Sequence, residues 1–122
     1  MKTIYIENNN APLPAPLQAI YCDSFMCRLR GLMFRSSLAQ SEGLLLVEAR
    51  DSRIDTSIHM LFVYMDLAVI WINSGYTVVD TVLARSWHPA YAARQPARYI
   101  LEIHPSRLNE FSIGDQVVFK NV

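Results

Sequence analysis

The sequence predicts a mainly β, single-domain fold, a β-sandwich or partly open barrel with one packed α-helix and a short helical turn near the C-terminus. Three observations carry this expectation. The chain has 122 residues, of which 52% are hydrophobic, enough to enclose one core and too few for two ordinary domains. After Gly43 the residues fall into short β-branched and aromatic runs separated by turn-forming residues. Only one stretch, beginning at Asp23, has its apolar residues at helical spacing.

Thr3 to Glu7 alternates apolar with polar residues and predicts a short strand. Asn8 to Pro16 is rich in asparagine and proline and predicts an exposed connector. Gln18 to Cys22 is apolar enough for a second strand. Asp23-Ser24 then offers an N-cap to a helix whose apolar stripe is Phe25, Leu29, Leu32 and Met33. Gly31 falls inside that helix at a cost of about 1 kcal/mol relative to Ala, which the close approach of a strand would explain. Further strands are expected at Leu44 to Glu48, Ser57 to Tyr64, Leu67 to Asn73, Thr77 to Arg85, Arg98 to His104 and Gln116 to Lys120. The continuously apolar run from Leu67 to Ile72 reads as a central strand covered on both faces. Asn73-Ser74-Gly75-Tyr76 reads as a hairpin turn, and His104-Pro105-Ser106 opens a single helical turn.

Charge narrows the functional classes. Eleven Lys plus Arg balance eleven Asp plus Glu, so the formal net charge is zero, which argues against general nucleic-acid or membrane-surface binding. No run approaches the roughly 18 apolar residues of a membrane span. The opening residues, Met1 to Asn10, lack the pattern of a secretory signal, so the expected address is cytoplasmic. In that setting Cys22 and Cys27 are expected to be reduced, small buried apolar side chains.

Chemistry-bearing groupings are sparse. His59, His88 and His104 lack the spacing that puts two metal ligands on one face of an element, so neither metal nor cofactor is expected. Glu102 and His104 share a face if the strand runs through both, an acid/base or ligand pair, unless Glu102 meets a surface Arg. There is no Gly-x-Ser-x-Gly elbow and no glycine-rich phosphate loop. The densest constellation is the long loop Ser86 to Ala97 with its flanks, carrying Arg85, Trp87, His88, Tyr91, Arg94 and Arg98. Guanidinium groups beside aromatic rings suit a flat anionic ligand, and the same residues could also plug one end of the sheet. Arg28, Arg30, Arg35, Arg50 and Arg53, interspersed with acids, read as surface ion pairing.

Several segments together resemble the bacterial and archaeal family called domain of unknown function 192. They are RGLMFRSSL (Arg30 to Leu38), EGLLLVE (Glu42 to Glu48), SIHMLFV (Ser57 to Val63), AVIWIN (Ala68 to Asn73), PARYILEIH (Pro96 to His104) and IGDQVV (Ile113 to Val118). The resemblance runs from about Ala19 to the C-terminus, leaving 1–18 as an N-terminal strand and connector before a family-like core at 19–122. It implies a mainly β domain with one packed helix and supplies no activity. Relatives place an aspartate in a Pro-Ile-Asp or Pro-Leu-Asp step before the central strand. Here the matching positions are Asp66, Leu67 and Ala68, so Asp66 would stand in for that acid only if the strand reaches back to it. Many relatives carry signal peptides or lipid anchors, neither of which is seen in this sequence.

Three functional readings follow. The first is a non-enzymatic module that binds a small anionic ligand or a protein through the Arg and aromatic loop. The second is an acid/base or hydrolytic enzyme using Asp66, Glu102, His59 and an Arg. The third is a structural or protein-interaction domain, monomeric or weakly homodimeric through a strand edge.

Overall fold

A computed structural model of the chain describes residues 2 to 121. Its elements are β1 (Thr3–Asn8), β2 (Gln18–Cys22), α1 (Phe25–Arg30), β3 (Glu42–Ser52), β4 (Leu67–Ile72), β5 (Val78–Ala84), β6 (Ala97–Ile103), a 3-10 segment (Pro105–Glu110) and β7 (Val117–Asn121). The strands form one sheet in the order β5-β4-β6-β3-β2-β1-β7. Of the two expected architectures the partly open barrel is the one adopted, as a curled half-barrel. Only β2 and β3 run parallel; the crossover between them carries α1.

The sheet curls until its two outer strands meet at one end. Thr77, just before β5, bridges Gln116, just before β7. The Val78 amide donates to the Asp115 carbonyl at 2.9 Å, and the Gly114 amide to the Val78 carbonyl at 2.8 Å. Inside the curl lies a core built from Ile4, Ile6, Leu45, Ile70, Leu101, Ile103 and their neighbours. A second core covers the outer face, where Leu46, Met60, Val69, Trp71 and Ile100 pack together. Every residue of β4 is buried, as expected for a strand enclosed on both sides, and each fully buried aliphatic side chain contributes about 1.5–3 kcal/mol. At Gly43 a Cβ would stand 2.9 Å from Ile103 Cγ2, so only glycine lets β3 lie this close to β6.

Two expected elements differ. The helix stops at Arg30, because Gly31 takes φ +51 and acts as its C-cap rather than an interior residue. Leu32 is buried past the end of the helix, whereas Phe25 and Leu29 of the expected stripe are exposed. The expected strand Ser57 to Tyr64 is irregular. Ile58, Met60 and Val63 are buried and most residues between them are exposed, which mimics a strand's alternation, yet its only ladder contact is a single bridge from Ile58 to Tyr91. The hairpin at Asn73 forms as expected, with Tyr76 as its left-handed residue and the Asn73 Oδ1 accepting from the Gly75 and Thr77 amides.

Arg107, in the 3-10 segment, is 3% exposed. It donates to the carbonyls of Ala15 (2.7 Å), Pro16 (3.2 Å) and Gln40 (2.8 Å) and pairs with Glu110 at 2.8 Å. One side chain therefore fastens the connector before β2 to the chain just before β3. Arg107→Met should lower the unfolding free energy by a few kcal/mol in urea titration, since it removes four hydrogen bonds donated by a buried guanidinium and such charge-assisted bonds contribute about 1.5–3 kcal/mol each.

Candidate functional site

Glu102 is the chemically unusual residue of the sheet. On β6 it faces Leu44 across one ladder and Val69 across the other, so its directly opposed neighbours are apolar and offer no donor. It is 5% exposed, and its Oε1 is buried without a hydrogen-bond partner. Burial alone pushes its carboxyl up to about 7, because desolvation penalises the charged form.

The carboxyl faces a cavity of about 190 Å³ between α1, the irregular segment after β3, and the outer face of β3 and β6. Arg28, Arg30, Glu48, Asp55, Ser57, His59 and Glu102 supply its polar lining. Arg28 is committed to its own partners, with Nε 2.6 Å from Glu48 Oε2 and Nη1 donating to the carbonyls of Asp23 and Val47. His59 lies exposed, its Nδ1 accepting from the Leu61 amide at 3.2 Å. That bond leaves Nε2 as the ring's proton-bearing nitrogen in the neutral form. Gly31 brings the chain over the carboxyl, since a Cβ there would stand 3.8 Å from Glu102 Oε1.

Of the residues singled out from the sequence, His59 and Glu102 converge on this cavity. Asp66 does not, because β4 starts at Leu67 and Asp66 lies before it, accepting from the Ser86 amide at 2.9 Å and from Arg85 Nη1 at 3.2 Å. His104 caps the 3-10 segment, its Nδ1 accepting from the Ser106 amide, so it forms no pair with Glu102. The surface Arg expected opposite Glu102 is absent, because Arg28 is taken by Glu48. Among the described residues no three His, Cys, Asp or Glu side chains are placed so that they could hold one metal ion.

The long loop acts as a clamp. Trp87 donates its amide to the Met60 carbonyl, Met60 donates to His88, and Ile58 and Tyr91 exchange both backbone bonds. The His88 ring stacks on Tyr91 at 4.2 Å, and the Tyr91 hydroxyl accepts from the Arg85 amide. Arg94 extends an exposed side chain while its amide donates to Asp80, and Arg98 donates to the Glu48 carbonyl. None of these six lines the cavity. Beside it, Phe34, Phe62, Tyr64 and Trp87 form an exposed aromatic cluster, three of them with positive φ.

Cys22 and Cys27, expected to be reduced, are instead disulfide-bonded, with their Cα atoms 5.7 Å apart. The turn at Asp23-Ser24 folds the first turn of α1 back onto the end of β2, which brings the two thiols together despite five residues of separation.

The half-barrel itself is a known kind of domain. The profile of DUF192, described as Uncharacterized ACR, matches residues 5–119, and the chain belongs to that family. It is similar to a UPF0127 protein of Thermococcus gammatolerans, 40% identical over 66% of this chain and 50% of the relative. A UPF0127 protein of Pyrococcus furiosus is 35% identical over 70% of this chain and 71% of the relative. The chain spans about half the length of the two Thermococcus relatives first compared with it, 50% and 49%. The same fold occurs in a protein of unknown function from Novosphingobium aromaticivorans, with a TM-score of 0.77 at 19% identity over 95% of this chain and 83% of that one. A Sinorhizobium meliloti protein described as a candidate transcription regulator gives a TM-score of 0.80 at 20% identity over 97% and 92%. No helix of the described residues is long and apolar enough to cross a membrane.

Burial of Glu102 predicts a specific pH dependence. Below pH 4.5 the carboxyl is protonated in both folded and unfolded chains. Between 4.5 and about 7 only the unfolded chain has released the proton, so raising the pH favours unfolding. In Glu102→Gln that contribution is missing. The stability of the variant relative to the parent should therefore climb by roughly 3 kcal/mol across this window and level off above it, as measured by urea unfolding at a series of pH values.

Proposed function

We infer that the chain is a non-enzymatic binding module that takes a small hydrogen-bond-donating ligand into the cavity beneath α1, with the Glu102 carboxyl as the receiving group. What carries this reading is the orphaned Oε1 of Glu102, since buried polar atoms are almost always partnered and an unpartnered one aimed into a cavity calls for a donor. The cavity, about 190 Å³, is below the roughly 300–1,000 Å³ of drug-sized pockets, which limits the ligand to a few heavy atoms. An anion suits it poorly, because Arg28 is already paired with Glu48 and, with Glu102 ionised, the lining acids Glu48, Asp55 and Glu102 outnumber Arg28 and Arg30. A small amine or polyol fits better than the carboxylates and phosphates that the Arg-rich loop first suggested. His59 at the rim, with Nε2 as donor, would meet an acceptor on the same ligand.

Glu102 and His59 are also two of the groups an acid/base enzyme would need, but Asp66 lies with Arg85 and Ser86 instead. The test is a thermal-shift series at pH 8 with methylamine, ethanolamine, xylose, acetate and phosphate at millimolar concentration. At least one of the first three should raise the melting temperature by a few degrees in the parent and less in Glu102→Gln. Shifts from acetate or phosphate alone, or equal shifts in both proteins, would reject the reading.

A further inference from the structure

We propose that the Cys22–Cys27 disulfide is a redox latch on α1, and that its reduction by a dithiol frees the helix and opens the cavity over Glu102. The proposal rests on the binding reading only for what the opened cavity is used for. α1 is six residues long with no buried residue, far below the roughly 12–15 residues at which an isolated helix becomes even marginally stable in water. Its place therefore depends on its attachments. At its start these are the disulfide and the Ser24 hydroxyl, which accepts from the Cys27 amide at 3.2 Å. In its middle Arg28 binds Glu48 and the Val47 carbonyl. At its end the turn at Gly31 leads into buried Leu32. Apart from the main chain at its two ends, the disulfide is the helix's one covalent attachment among the described residues, and the helix it holds supplies Arg28, Leu29 and Arg30 to the wall of the cavity.

The bond is also within reach of a reductant. Cys22 is buried, but Cys27 is partly exposed, and both line an opening of about 270 Å³ with Lys2, Tyr21, Asp23 and Ser24. A dithiol thiolate attacks one sulfur, the S–S bond breaks, and a mixed disulfide forms. That step releases the partner cysteine. The second thiol of the reductant then attacks the reductant's own sulfur in the mixed disulfide and displaces the cysteine attacked first. Two protein thiols and an oxidised, cyclic reductant remain, so that two electrons and two protons have passed to the protein.

The experiment compares hydrogen exchange of the oxidised protein, the protein in dithiothreitol, and the double variant Cys22→Ser/Cys27→Ser. Amides of residues 25–31 should exchange at least tenfold faster in both the reduced and the variant forms, with β4 and β6 unchanged. Exchange in 25–31 that stays the same when the disulfide is removed would overturn the proposal. So would the titration of two free thiols in denatured protein purified without reductant. Neither outcome involves ligand, so failure here and failure of the binding reading are separable.

Discussion

Strand β6 has β3 on one side and β4 on the other, the inner core beneath it and a covering of loop and helix above it. A residue on β6 has no route to water along the sheet and little through it. Six of its seven residues are buried; for Ile100, Leu101 and Ile103 this is the source of stability. For Glu102 the same enclosure imposes a cost, which is met by holding the proton, and the functional reading follows from that conflict. An apolar residue would serve the core better at this position, which is why the carboxyl stands out as chemistry and not packing.

The covering of the outer face is built differently from the sheet it covers. Segment 53–66 and the loop 86–96 are held to each other by backbone bonds between Ile58 and Tyr91, Met60 and His88, and Trp87 and Met60. The buried indole of Trp71 reaches across to donate to the Thr56 carbonyl at 2.8 Å, tying this layer to the central strand. α1 is the least embedded part, and its ties are polar or covalent. Stability is graded across the molecule in consequence: deep in the two cores, shallow at the helix that borders the cavity.

Much of the fold was legible in the residues. The fully apolar run Leu67 to Ile72, the turn after Asn73 and the helix start at Ser24 are local signals, and each forms where its local chemistry places it. The site was less so. The Arg and aromatic loop stood out because its residues are conspicuous one by one, yet its backbone holds segment 53–66, with Arg85 and Trp87 adding side-chain contacts to Asp66, Phe62 and Tyr64. Glu102 was visible as a lone acid within Tyr99 to Ile103, but a sequence cannot show that both strands beside it bring apolar partners, Leu44 and Val69, to its face. Arg28 read as one member of a surface ion pair, which it is, while its position at a cavity depends on how far α1 extends.

By itself the sequence determined the β-rich class, the single helix, the hairpin and the family, because period, capping and turn chemistry act within a few residues of the chain. Tertiary structure alone decided that the sheet curls until β5 and β7 meet, that 57–64 is covering instead of strand, that Cys22 and Cys27 are joined, and that Glu102 has no partner. Each of these depends on which distant segments come into contact, and a desolvated carboxyl or a close pair of sulfurs is a property of that contact, not of the residues taken one after another.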